Sequence, residues 1–528
     1  MKITTLSLAL IVLSPMLSAQ AELEQIFSPA PYANERFGQY LDHSGNTLVV
    51  GTSTEAGVGT CYVFESQGGI WSHTASLIPA PLDPSLGVFT TALEGDFLFV
   101  SAADFHGAGR VYGFERGAGG WSQTVSFTGS GPTLNESFGQ SLSLHSDLLI
   151  AGAPSAVAQG ISFAGAVYVY NRSGGTWTET ERLESSAPTQ QDYLGTSVDT
   201  DGETIVAGAH FGDVNGVKAG TATVWEKDPA GTWMEVARLA APDGADSENF
   251  GIAVAVMGNR IAVGARFADG EVGAVYVFRR ALGIWTFESK LVPSFAQPYS
   301  RAGSSVEFDG TRLLVGAQSG DFVTGYEHLA GEWVETLSFQ AHDSSGNTTH
   351  TFGSQIALDG DVIAVADPDH DEACGGAGGC NAGAVYFFRL EGYSFETCLG
   401  APNSSGVPCT LSLDGSLEVS DNNLRLMMAG GPAGQFGITV TGQDPMRLAL
   451  GDGELCISPF HPGLTRLPPV VRLDPAGSAT LTLDLAAGPA GSAILGGSRH
   501  YFQLIYRDDA PGGSGINLSS ALGVTFLP

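Results

Sequence analysis

Short apolar runs bounded by Gly, Asp, Asn and Ser follow one another along most of the chain, and between residues 37 and 390 they recur in one order. A unit opens on Phe-Gly or a relative and turns through a tight hairpin. It then reaches Gly-Ala, runs on as Gly-Ala-Val-Tyr-Val-Phe, and closes with Gly-x-Trp and a last apolar run. Runs this short and this rich in Val, Ile, Phe and Tyr predict strands, four to a unit. A period of roughly 50 residues marks stacked supersecondary units.

Six openings carry Gly38, Gly139, Gly195, Gly251, Gly303 and Gly353, preceded by Phe37, Phe138, Leu194, Phe250, Ala302 and Phe352. A seventh, weaker opening at Val88 keeps phase through Glu94-Gly95-Asp96 and Ser101. Second-strand ends fall at Gly51, Gly152, Gly208, Gly264, Gly316 and Ala366. Third strands include Val167-Tyr168-Val169-Tyr170 and Val275-Tyr276-Val277-Phe278. Trp71, Trp121, Trp177, Trp233, Trp285 and Trp333 then take one repeated position, with Leu or Phe ending each run. Turns such as Asp201-Gly202-Glu203 and Gly258-Asn259 supply the positive φ of a tight hairpin.

A four-stranded sheet of this size cannot bury both faces alone. Seven packed radially can, and they leave only short edges. The expected fold is all-β: a seven-bladed β-propeller over residues 22–397, followed by a β-sandwich-like domain over 398–528. Two segments compete for the outermost strand of the last blade, Leu23–Phe27 and Tyr393–Leu399. The N-terminal one is preferred because it joins the ends of the chain.

Residues 1–21 read as a signal peptide, with Lys2, an apolar Leu6–Leu13 and a small-residue cleavage site at Ala19-Gln20-Ala21. The expectation is an exported protein, secreted, surface-held or periplasmic. No other stretch approaches a membrane span. The formal net charge of −32 argues against nucleic acid and anionic lipid as partners. Six cysteines in an exported chain suggest disulfides. Cys374 with Cys380 is one candidate pair, with metal ligation the alternative use of that spacing. Cys398 with Cys409 is a second, while Cys61 reads as a buried free thiol.

Phe138-Gly139 with Gly152-Ala153-Pro154, and Phe250-Gly251 with Gly264-Ala265, resemble the FG-GAP repeats of the integrin α-subunit propeller and its bacterial relatives. The resemblance covers roughly residues 23–397 and implies a propeller used for extracellular recognition or adhesion. The Asp-x-Asp-x-Asp-Gly calcium loop of several integrin blades has only a truncated counterpart here, Asp199-Thr200-Asp201-Gly202, which reads as an ordinary turn. Residues 398–528 resemble a C-terminal domain found on many exported proteins of planctomycete-type bacteria, which implies surface attachment or export sorting.

Linear catalytic signatures are absent: no G-x-S-x-G, H-E-x-x-H, P-loop or Rossmann fingerprint occurs. In an up-and-down blade the 2–3 loops and 4–1 links share one face, and here they are the long, variable ones. Recognition is expected there. Phe211 and Phe267 hold one position in adjacent blades and, with Asp213 and Asp269, are ligand-binding candidates. Asp367, Asp369 and Asp371 alternate in an acidic loop and could chelate calcium. The reading these features favour is a non-enzymatic adhesion protein for a protein or glycan. A polysaccharide hydrolase or lyase, and a structural surface component, are the alternatives.

Overall fold

A computed structural model describes residues 22–525 except 53–58, 68–69, 81–89, 103–108, 132–134, 215, 330, 341–350, 361, 371–380, 390–393, 399–402, 405, 408, 415–421, 423, 443–444, 451, 458–464, 486–498 and 509–514. The segment 1–21, Asp371, Cys374 and Cys380, and the side chain of Cys398, lie outside the described residues. Contacts divide the chain into two units, with the division at Leu390.

The first unit is seven four-stranded antiparallel sheets. Blade 4 shows the pattern, with strands Ser197–Thr200, Thr204–Ala209, Thr221–Lys227 and Trp233–Leu239. Its second strand is buried along its whole length, because blades flank it on both faces; its fourth is buried only at Trp233 and Leu239. First strands touch from blade to blade, including blade 7 to blade 1, so they form a closed inner ring. In the seventh blade the outermost strand is Glu22–Phe27, paired antiparallel with Ala384–Arg389. Residues 22–27 and the end of the repeat thus share one sheet. Between third and fourth strands the register slips at one recurrent place, as at Val169/Tyr170, Val224/Trp225 and Val277/Phe278. A β-bulge there adds twist to each blade's outer half.

The repeated motif residues sit where blades meet. Gly251, at φ +88, lies against Gly208 of the preceding blade, and a Cβ on Gly208 would fall 1.9 Å from the Gly251 carbonyl oxygen. Neither position has room for a side chain. The same approach recurs at Gly152, Gly264 and Gly316. Strand-four tryptophans reach back to the preceding blade: Trp71 stacks on Phe387 at 4.7 Å, and Trp177 stands edge-on to Phe99 at 4.9 Å. Trp285 and Trp333 donate their indole N–H to Glu226 and Glu288 at 2.9 and 3.1 Å.

The second unit carries a five-stranded sheet in the order Ser394–Cys398, Ile516–Thr525, Arg499–Arg507, Phe436–Gly442, Thr465–Arg472. A three-stranded sheet of Thr410–Asp414, Arg425–Ala429 and Ala479–Thr482 shares its core through Leu411, Leu426, Met428 and Leu481 against Phe502, Leu504 and Val524. The strand Ser394–Cys398 therefore belongs here, and the division precedes the expected one at 398. One expectation is corrected. Cys409 is a free thiol in this apolar core, so it does not pair with Cys398. Cys61 is likewise free and buried.

Candidate ligand-recognition face

Among the described residues, 4–1 links hydrogen-bond to the 2–3 loop of the blade before them, which binds the two loop sets into one face. Tyr193 donates its amide to the Phe163 carbonyl at 3.0 Å, and Arg301 to that of Glu271 at 3.1 Å. Arg36 donates to Asn381 at 3.0 Å, closing the series between blades 1 and 7.

Before five of the Phe-Gly-type openings the preceding residue is held in the left-handed region without being glycine. Arg36, Ser137, Tyr193, Asn249 and Arg301 have φ of 53°, 52°, 57°, 58° and 58°. Such a conformation costs an L-residue about 1–2 kcal/mol, so neighbouring bonds must hold it. They come from the preceding residue, whose side chain accepts the amide three positions back: Asp192 from Thr189 at 2.6 Å, Ser300 from Gln297 at 2.9 Å. Third-strand tyrosines anchor the links from below. Tyr62 donates to Glu35 at 3.2 Å, Tyr168 to Glu136, and Tyr276 to Asp243 at 2.8 Å. Burial pushes the Glu35 carboxyl up, against the hydrogen bonds of Ser28, Tyr62 and Tyr32.

Over blades 3 to 5 these links present a connected set of side chains. Tyr193 stacks on His210 at 5.6 Å and meets Phe211 at 6.1 Å, and Phe163 stands 6.0 Å beyond Tyr193. His210 bonds to Thr196 at 2.8 Å and accepts at its carbonyl from Asn249 at 3.5 Å. Asn249 in turn accepts from Arg266 Nε at 3.3 Å. The guanidinium of Arg266 lies 4.8 Å from the Phe267 ring and that of Arg301 5.3 Å from it. Burial, then the Arg266 charge, depress His210 to about 4, so it is neutral at physiological pH. Burial, then Arg301, also lower Arg266 below the ordinary arginine range.

The four ligand-binding candidates have different fates. Phe211 and Phe267 both join this sector, one against Tyr193 and His210, the other under the two guanidinium groups. Asp213 accepts the Gly216 amide at 2.6 Å within its own turn. Asp269 pairs with Lys290 at 2.9 Å, and Lys290 also holds Asp243 at 2.7 Å. Tyr193, His210, Arg266 and Arg301 were not singled out by sequence. Aligning the position before Phe-Gly, where large side chains stand in place of glycine, would have exposed two of them.

Of the calcium candidates, Asp367 and Asp369 are described, and they take different partners. Asp367 is buried, accepts the Thr351 amide at 2.9 Å and lies 3.7 Å from His370; Asp369 pairs with Arg36 at 3.1 Å. Among the described residues no group of three or more His, Cys, Asp or Glu could hold a metal ion. In the truncated loop, Asp201 accepts the amides of Thr204 at 2.8 Å and Gly258 at 2.8 Å, as a turn that staples two blades.

A second polar set lines the inner ring. Asp42, Asp199 and Glu307 occupy one position in the first strands of blades 1, 4 and 6, opposite Val49, Val206 and Leu314. Asp42 accepts the Leu93 amide at 2.6 Å, and Asp199 the Val256 amide at 2.7 Å, each in the next blade. Although partly exposed, all three are enclosed by surrounding strands. Desolvation dominates, raising Asp42 to about 7 and Asp199 to about 6. Glu307 is raised well above the carboxylate range by burial and then by Asp199 and Asp42, and accepts no hydrogen bond among the described residues.

Residues 121–170, 177–225 and 233–278 match the FG-GAP repeat family, so the propeller carries FG-GAP repeats. No curated protein matches the chain. Solved structures of similar arrangement include a chain of the mitotic checkpoint complex, 16% identical over 73% of this chain and 99% of that one, TM-score 0.46. U3-55K is 13% identical over 71% and 100%, TM-score 0.47. The RRP9 WD40 repeats are 14% identical over 71% and 100%, TM-score 0.47. Nothing about ligands follows from likenesses at this level. Among the described residues no helix is long and apolar enough to cross a membrane.

Proposed function

We propose that this chain is an exported recognition protein that engages a protein or glycan partner through the face built by its 2–3 loops and 4–1 links. The observation that carries the reading is the connected sector of Tyr193, His210, Phe211, Arg266 and Phe267. Aromatic and guanidinium groups of this kind dominate binding energy at protein interfaces. Tyr193 stands on strained backbone, at φ 57°, which a fold retains where surrounding structure over-determines it. A propeller supplies the rigid base that makes such loops selective.

The test is binding of the full-length protein to protein and glycan arrays, with calcium and with chelator. Tyr193→Ala or Phe211→Ala should weaken any interaction found by about tenfold or more. Leu282→Ser, at an exposed apolar hairpin tip of the opposite face, should leave it unchanged. Silence on every surface in both conditions, or loss confined to the Leu282 variant, would overturn the reading.

A further inference from the structure

In a chain of net charge −32, most arginines of the propeller lie against a carboxylate, as Arg116 does with Asp96, Arg260 with Glu288 and Arg280 with Glu226. Arg266 does not. It is half-buried, its Nε is spent on the neutral Asn249 amide, and among the described residues no carboxylate pairs with it. Another cation, Arg301, meets the same Phe267 ring and is itself paired with Glu271 at 3.0 Å. Two guanidinium groups thus converge on one ring, and among the described residues only that of Arg301 has a carboxylate partner.

We infer that the sector of Arg266 binds a carboxylate side chain of a peptide segment, with the acid on the Arg266 fork and its apolar neighbours on Tyr193 and Phe211. This rests on the recognition reading above and adds the chemistry of the partner. The terminal nitrogens of Arg266 present a planar pair of donors, and a carboxylate matches that fork with two parallel hydrogen bonds. A monoanion suits the place better than a dianion, because Glu271 and Asp269 stand close by and the whole surface repels excess negative charge. Bound acid would relieve the Arg266–Arg301 repulsion, a gain that a neutral group cannot supply. Tyr193, His210 and Phe211 form a continuous ring surface beside the fork, and His210 is uncharged, so this side of the site takes apolar contacts. Specificity would come from the pairing of one acid with an adjacent apolar residue.

The test is an array of seven-residue peptides with Asp, Asn, phosphoserine or Lys at the centre and Phe, Leu or Ala on either side. It is probed with the full-length protein at low and high salt. Aspartyl peptides with an aromatic neighbour should bind, and replacing Asp by Asn should cost about 10- to 100-fold, as loss of a charge-assisted hydrogen bond does. Arg266→Met should abolish that Asp-over-Asn preference; Arg266→Lys should retain part of it, because the charge remains and the fork is lost. An unchanged unfolding temperature in both variants shows that the fold is intact. Equal binding of Asp and Asn peptides by the wild-type protein would overturn the carboxylate assignment and leave the recognition reading standing. A preference for phosphoserine would likewise overturn it. Absence of binding to every peptide would remove the peptide assignment, whereas binding on glycan arrays would still support recognition by this face.

Discussion

Placing a single methyl group between two blades measures how far the Phe-Gly and Gly-Ala steps hold the ring together. In Gly208→Ala the new Cβ lies 1.9 Å from the Gly251 carbonyl oxygen and 2.5 Å from Ser197 Oγ. Ser197 donates to that same carbonyl at 3.0 Å, so it cannot turn away without giving up the bond. The obstacle is backbone of the neighbouring blade, which must retreat by more than an ångström. Overpacking of this kind costs about 1–3 kcal/mol, and loss of the Ser197 bond about 0.5–1.5 kcal/mol more. With an unfolding entropy of about 2.1 cal/mol/K per residue over roughly 370 residues, the propeller transition should fall by about 2–6 °C. All seven tryptophans lie in the propeller, so tryptophan fluorescence follows that unit alone. Gly117→Ala is the control, because its Cβ meets nothing within 4 Å. If both variants melt with the wild-type protein, the contact is not what sets blade spacing.

Three further outcomes follow from the same structure. Glu307 has a folded pKa above its unfolded value of about 4.3, so its ionisation opposes folding. Wild-type stability should fall relative to Glu307→Gln as pH rises above about 4, with equal stability at pH 4 and the variant ahead at pH 8; urea midpoints at the two pH values check this. Burial pushes the Cys61 and Cys409 thiols up to about 12, so neither should react with a disulfide reagent at pH 8 until denaturant is added. Trp71→Ala removes the stack on Phe387 at the seam between blades 1 and 7 and should cost about 3–5 kcal/mol in a denaturant titration.

Much of the propeller was legible because each repeated residue answers a local demand that recurs. A Phe-Gly pair, a hairpin Asp-Gly and a Gly-Ala step are short-range signals, and the repeat multiplied them. The sector around Arg266 was only half legible. Phe211 and Phe267 stood out as aromatics at one position of adjacent blades, whereas nothing in the sequence says which carboxylates will reach Arg266 and Arg301. The surroundings of the acidic loop were not legible either. Asp367 and Asp369 alternate in sequence, but Thr351, His370 and Arg36 draw them in different directions. The Cys398–Cys409 pairing was inferred from spacing alone, and the core that takes Cys409 is assembled from strands far away in the chain.

The sequence by itself determined the repeat, the four-stranded unit and the face on which variable loops gather, because hydrophobic period and turn chemistry are local properties. Tertiary structure decided what those local rules cannot carry. It chose Glu22–Phe27 rather than the 393–399 segment to complete blade 7, since pairing partners more than 350 residues apart are selected by ring closure. It brought Asp42, Asp199 and Glu307 to one level of the inner ring, where shared desolvation raises all three. And among the described residues it left Arg266 with no carboxylate partner, because charge pairing depends on which loops meet across blades.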